Sequence, residues 1–307
     1  MWGLYLALAE LSSLPVLCYH RIGGPLELGV TRVSRSVFAR QMTALARAGW
    51  RSVSLAEFAN RIMSVGVQAI GVGAQHAAPL HNHTVGPFLS PGTTHDPPRT
   101  FLLTFDDGYA SLAEHAYPVL ADLGFTATTF LITDYVGQAN TWDVRYTWDR
   151  LAHLGWEQIE HWRARGFDFG SHGATHRRLT WLDDDAVRAD LGRSREVLRA
   201  RLGAEAARAI AYPFGAVDAR IVRCASTAGY ELGFGGVQAT GEPLNLARVP
   251  VYLWDVWDVP FGLRADRIGG LGRMIAHAAN RCAVGTSVMR AIGYRLSGAH
   301  NPIADSR

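Results

Sequence analysis

Six apolar runs punctuate the chain, and the segments between them carry helical spacing. The runs are Leu14–Tyr19, Thr100–Phe105, Ala127–Ile132, Phe167–Ser171, Ala209–Tyr212 and Ala247–Leu253. Each has the length of a strand and reads as buried. Strands of this kind, alternating with helices, run parallel, because parallel neighbours need a crossover long enough to hold a helix. The pattern therefore predicts an α/β fold, as a barrel or a doubly wound sheet. Helices are expected over Ser36–Ala48, capped by Ser34 or Ser36 and closed by Gly49, and over Leu112–Leu123, ending at Gly124. A third runs from Asp184 to Leu202, with aspartates at its start and Gly203 at its end. A chain of 307 residues that is 48% hydrophobic has enough apolar material for one large domain.

Residues 1–262 are assigned to that domain. The stretch 66–98 breaks the alternation; it is rich in Gly, Pro, Thr and His and reads as a long loop insertion. Its histidines (His76, His81, His83, His95) read as solvated side chains rather than ligands. Residues 263–307 read as an Arg-bearing helix and a tail. All 30 basic residues are Arg, which excludes a Schiff-base lysine and a P-loop lysine. The net charge is +3 and the arginines are dispersed, so no basic stripe points to nucleic acid. Cys18, Cys224 and Cys282 lie far apart and read as small core residues. No apolar run reaches the ~18 residues of a spanning helix. The opening MWGLYLALAELSSLP lacks a basic leader and carries Glu10, a poor secretory signal. A cytoplasmic location is the default expectation, with a periplasmic or membrane-associated one left open. No obligate protein partner is evident.

Two motifs carry chemistry. In TFDDGY, a buried strand ends in Asp106 and Asp107, and Gly108 turns the chain. The C-terminal end of a parallel strand is where β/α folds place their sites, and adjacent carboxylates repel unless a cation or proton divides their roles. The same residues would also serve as a capped turn. The second motif, SHGATH, places His172 and His176 four apart after another strand. That spacing brings two imidazoles to one face of a helical turn, and with an aspartate it makes a two-His, one-carboxylate site with open positions.

TFDDG, then H-x-x-x-H, then Tyr212-Pro213-Phe214-Gly215, in that order, resemble the polysaccharide deacetylase family, carbohydrate esterase family 4 with its NodB-homology domain. The similarity spans Leu14 to Pro250. It implies a distorted (β/α) barrel and a metal-dependent amidase that removes acetyl groups from N-acetylated oligo- or polysaccharide. It implies Asp106 as general base, Asp107, His172 and His176 as ligands of a divalent ion (zinc foremost, with cobalt, nickel or manganese as alternatives), and the Phe214 N–H as oxyanion donor. Tyr109, Tyr212, Pro213 and Trp254 are assigned to substrate contact. The sequence departs from the family twice. Ala211 stands where many members carry an Arg that orients the base, and the late L-x-H histidine is missing; His277 lies in a helical stretch unsuited to that role. His20 in LPVLCYHRI resembles the early histidine of the poly-N-acetylglucosamine deacetylase branch and is assigned as general acid.

Tryptophans crowd the second half of the chain: Trp142, Trp148, Trp156, Trp162, Trp181, Trp254 and Trp257. Sugar rings stack on such faces, though most tryptophans simply pack. Two other function classes compete with a deacetylase. One is a catalytically silent carbohydrate-binding protein on the same scaffold. The other is a metal-independent glycosidase with two carboxylates, which has no use for the histidine pair.

Overall fold

Parallel pairing of the apolar runs builds one curled sheet. The computed structural model describes residues 14–24, 31–73, 99–141, 151–236, 240, 242–256 and 258, with the backbone alone for 65–73. Its strands are β1 (Val16–Tyr19), β2 (Arg21–Ile22), β3 (Arg32–Val33), β4 (Arg51–Ser52), β5 (Thr100–Phe105), β6 (Thr128–Leu131), β7 (Asp168–Ser171), β8 (Ala209–Ala211), β9 (Leu232–Phe234) and β10 (Val249–Pro250). The sheet order is β10-β1-β5-β6-β7-β8-β9, with β4 also paired to β5; β2 and β3 form a separate ribbon. Helices α1 (Arg35–Arg47), α2 (Leu55–Gly73), α3 (Ser111–His115), α4 (Tyr117–Asp122), α5 (Trp156–Arg163), α6 (Asp184–Leu202) and α7 (Ala219–Ala228) fill the crossovers. The result is the open, half-closed form of a distorted (β/α) barrel. Its seam is bridged by one segment: Leu246 pairs with Phe234 at the end of β9, and Val249 and Pro250 pair with β1.

Strand parity sorts the side chains. Leu17, Tyr19, Phe101, Leu103 and Phe105 face outward and pack with Phe38, Met42 and Leu45 of α1 and with Leu112, Tyr117 and Leu120 of α3 and α4. Val16, Leu102, Phe130, Ala209, Ala211 and Phe234 form the interior cluster, where Phe58, Ala59 and Ile62 of α2 join them. The start of α2 is tied to the N-terminal ends of the strands, since Leu55 N donates to Asp168 Oδ2 at 2.7 Å. Among the described residues, α2 thus covers the interior at the end opposite the strands' C-terminal ends. Burying a Phe or Leu in such a cluster contributes about 1.5–3 kcal/mol.

Local signals explain most element ends. Ser34 accepts from Val37 N and opens α1; Asp183 accepts from Ala186 N and opens α6, which ends at Gly203 as expected. The helix expected over Leu112–Leu123 is broken in two at Ala116, because Pro118 has no N–H to continue the ladder. The stretch expected to be a loop from Gly66 is helical as far as Gly73, where α2 ends, and its remainder to Pro98 lies outside the described residues. The last apolar run forms only two paired residues and then turns at Leu253-Trp254. Strand β9 went unread because Gly233 interrupts it; a Cβ there would lie 2.4 Å from the Leu244 carbonyl oxygen.

Cys18 and Cys224 are buried and unbridged. No described helix is long and apolar enough to cross a membrane. His76, His81, His83, His95, Trp142, Trp148, Trp257, His277, Cys282 and the boundary expected at 262/263 lie outside the described residues.

Candidate metal centre and active site

Inward parity delivers the site. Continuing the interior alternation of β1 (Val16, Cys18) brings His20 to the open end. Continuing that of β5 (Leu102, Thr104) brings Asp106 there, and His172 follows β7 in the same sense. Asp107 comes next to Asp106 but faces differently, because its backbone turns left-handed at φ 69°. That turn swings its carboxylate towards the histidines: Asp107 Oδ1 lies 3.5 Å from His172 Nε2 and 3.3 Å from His176 Nε2. All three side chains are buried, and their candidate ligand atoms lie within 4.8 Å of one another.

The two imidazoles do not share a helical turn, as their spacing had suggested. Residues 172–178 form an irregular loop in which His176 adopts φ 56°, and the two rings still meet with centroids 4.9 Å apart. Asp190, reaching from α6, holds this loop: it accepts from Ala174 N (2.8 Å), Thr175 N (3.1 Å) and Thr175 Oγ1 (2.5 Å). His172 Nδ1 donates to the Ala211 carbonyl at 2.7 Å, which turns its Nε2 lone pair towards Asp107. Burial depresses the His172 pKa and favours the neutral imidazole, the form that ligates. Two imidazole nitrogens and one carboxylate, converging in a buried pocket with the His172 tautomer fixed, fit a divalent metal ion.

Asp106 has another environment. Arg248 Nη1 and Nη2 donate to its Oδ1 and Oδ2 at 2.7 Å each, a bidentate pair buried on both sides. Arg248 Nε donates to the Gly235 carbonyl, and the guanidinium lies over Phe130, 5.9 Å from the ring centre. Burial alone would raise the Asp106 pKa, but Arg248, with His172 and His20, overrides it and holds the carboxyl well below the usual range. The Cys18 thiol, kept protonated by burial, donates to Asp106 Oδ2 at 3.6 Å. Cys18, His20 and Asp106 form a second group of potential ligands. With both carboxylate oxygens on Arg248 and the thiol protonated, that group suits proton chemistry better than an ion.

The remaining assigned residues divide by parity. Phe214 adopts φ 61° and sets its ring 4.7 Å from that of His176, so the Y-P-F-G turn borders the histidines. Tyr212 faces outward from the end of β8 and packs against Leu191 and Ile221, its hydroxyl donating to the Leu244 carbonyl. Its side chain is buried, as is that of Pro213. Tyr109 is likewise buried and stacks on His153. Trp254 is 47% exposed, on the turn after β10, with its ring against Tyr252. Trp156 and Trp162 pack at the edge of the outer cluster.

Three residues escaped the sequence reading: Arg248, Asp190 and His153. Arg248 and Asp190 left a signal. Arg248 is the single charge in a run otherwise read as a buried strand, and Asp190 sits on the buried stripe of α6 with Val187, Leu191 and Ser194. A charge on a buried face implies a partner. Nothing around His153 marks it.

Residues 93–233 match the model of the family described as polysaccharide deacetylase. The putative polysaccharide deacetylase YxkH of Bacillus subtilis is 28% identical over 135 residues, 44% of each chain. The poly-beta-1,6-N-acetyl-D-glucosamine N-deacetylase of Staphylococcus epidermidis is 28% identical over 149 residues, 45% of this chain and 48% of that one. The chain thus spans less than half the length of these curated relatives. The Streptococcus pyogenes deacetylase PplD, solved in complex with acetate, superposes with a TM-score of 0.59 at 20% identity, over 79% of this chain and 93% of that one, a likeness of fold.

Proposed function

We propose, for a chain that has the fold of the polysaccharide deacetylase family, that it hydrolyses the N-acetyl amide of an amino-sugar polymer, with a divalent ion held by Asp107, His172 and His176. The observation that carries this reading is the division of labour between adjacent aspartates: Asp107 faces two imidazoles, while Asp106 is clamped by Arg248. When bound, the ion supplies a Lewis acid that polarises the amide carbonyl and acidifies water. We take it to be zinc, whose preference for nitrogen and oxygen donors in open three-residue sites matches the set.

The chain's own residues supply the rest. Asp106 stays ionised and takes a proton from water at its carboxylate oxygen. Arg248 fixes the plane of that carboxylate, so no reorientation precedes the transfer. Phe214, left-handed at φ 61° beside His176, is the residue we assign to give its backbone N–H to the developing oxyanion. His20, grouped with Cys18 and Asp106, gives a proton to the departing amine. The substrate class follows the relative from Staphylococcus epidermidis, whose name gives poly-β-1,6-N-acetyl-D-glucosamine, and is supported by the early Tyr19-His20 pair. Trp254, exposed beside β10, is the aromatic face we assign to a sugar ring.

Acetate release from N-acetylglucosamine oligomers tests the reading, with protein as purified, after chelation, and after zinc is restored. Release should stop on chelation and return with zinc. Asp106→Asn should keep its metal yet lose turnover by ~10²–10⁴-fold. Cleavage of glycosidic bonds insensitive to the chelator would make the protein a glycosidase instead. Metal and oligomer binding without acetate release would make it a silent carbohydrate-binding protein.

A further inference from the structure

The segment Leu151–Leu154 pairs with the turn that carries Asp107, after the C-terminal end of β5. Leu154 N donates to the Gly108 carbonyl at 2.8 Å, the Ala152 carbonyl accepts from Ala110 N at 2.8 Å, and Tyr109 and His153 pair as an antiparallel bridge. Any residue at position 153 could make those backbone bonds. The His153 side chain does something more specific: its Nδ1 lies 2.8 Å from the carbonyl oxygen of Asp107 itself. A carbonyl only accepts, so Nδ1 carries the proton. The imidazole is buried, stacks on Tyr109 with centroids 5.2 Å apart and planes 16° apart, and has Tyr135 at 5.8 Å on its other contact.

Asp107 is a non-glycine residue at φ 69°, a region that L-residues seldom adopt, and Gly108 beside it is also left-handed at φ 66°. This conformation aims the Asp107 carboxylate at His172 and His176. Released to an ordinary conformation, the Cα–Cβ bond would point elsewhere and the triad would lose its anion. We propose that His153 is a positioning residue that sets the metal affinity of the site by tying the Asp107 carbonyl in its left-handed turn. The inference rests on reading Asp107, His172 and His176 as the metal centre.

The test measures the dissociation constant of Zn²⁺ or Co²⁺ for the full chain by competition with a chelating dye, and the melting temperature of each chelated protein. His153→Phe keeps the bulk and the stacking on Tyr109 but removes the donor, and should weaken metal binding by ~10–100-fold, the usual effect of losing a group that orients a ligand. His153→Asn places an amide N–H near the Nδ1 position and should bind metal close to the parent's affinity. His153→Gln carries the same amide one bond too far and should bind as weakly as the Phe variant. A merely structural histidine would lower melting temperatures without separating Asn from Gln. Phe and Gln variants that bind as tightly as the parent overturn the proposal. Should the Phe variant fail to fold, the Asn–Gln comparison decides alone, and equal affinities overturn it. A parent chain that takes up no divalent ion overturns the metal reading beneath it.

Discussion

Asp106 and Asp107 are chemically identical neighbours that the backbone sends into opposite environments. Strand parity carries the first inward to Arg248, and a left-handed turn carries the second to the imidazoles. Arg248→Met should therefore do more than remove a contact: it strands a buried carboxylate, at a cost of about 3–5 kcal/mol at neutral pH. In the parent, Arg248 holds the Asp106 pKa down against burial, so the pair stabilises the fold above the ordinary carboxylate range and less as pH falls below it. The gap in melting temperature between parent and variant should narrow in acid; a constant gap would show that Arg248 acts by packing alone. His20→Ala tests the proton donor. It should cost far more turnover on an N-acetylglucosamine oligomer than on an aryl acetate, whose leaving group needs no proton, with metal content unchanged. Equal losses on both substrates would make His20 structural. At this scale the motifs showed which residues converge, because each follows a readable strand. They did not show Arg248, which is 142 residues from its partner and only one of 30 arginines.

At the scale of elements, His172 and His176 depend on a helix that contributes nothing to the proposed ligand set. Asp190 projects from the buried stripe of α6 and gathers the loop between His172 and His176. Gly173 in that loop leaves no room for a Cβ, which would sit 2.8 Å from Asp190 Oδ1. Asp190→Ala leaves backbone N–H groups of the loop without their acceptor, at about 1–3 kcal/mol for each one that stays buried. The variant should melt lower by thermal denaturation and bind zinc more weakly, even though no ligand has changed. Unaltered zinc affinity would show that the loop holds its shape unaided. The elements themselves were largely legible: α6 has its cap, its acidic first turn and its terminal Gly203 in plain view. The histidine loop was misread as a helical turn because four-residue spacing is also compatible with a loop braced from outside, and the brace lies 14 residues after His176.

For the whole molecule, the alternation of apolar runs and helices gave the α/β class, but not how the barrel closes. The closing strand is two residues long, and its neighbour β9 contains a glycine, so neither has a strong pattern. That closing segment has a consequence for how the protein fails. It bridges β9 and β1 through Leu246 and Val249-Pro250, and Arg248 lies between those anchors. The proposed metal ligands all follow other strands, closer to the centre of the sheet. Local unfolding of a short, lightly paired edge needs less free energy than melting the core. A protein losing its edge in mild urea would thus keep the proposed ion while Asp106, the proposed base, turned idle. Turnover, followed beside metal retention and far-ultraviolet circular dichroism, should vanish at a lower urea concentration than either. Coincident transitions would mean that the edge opens only with the rest. Turnover in such a chain would serve as a gauge of closure, reading the first pair of strands to part.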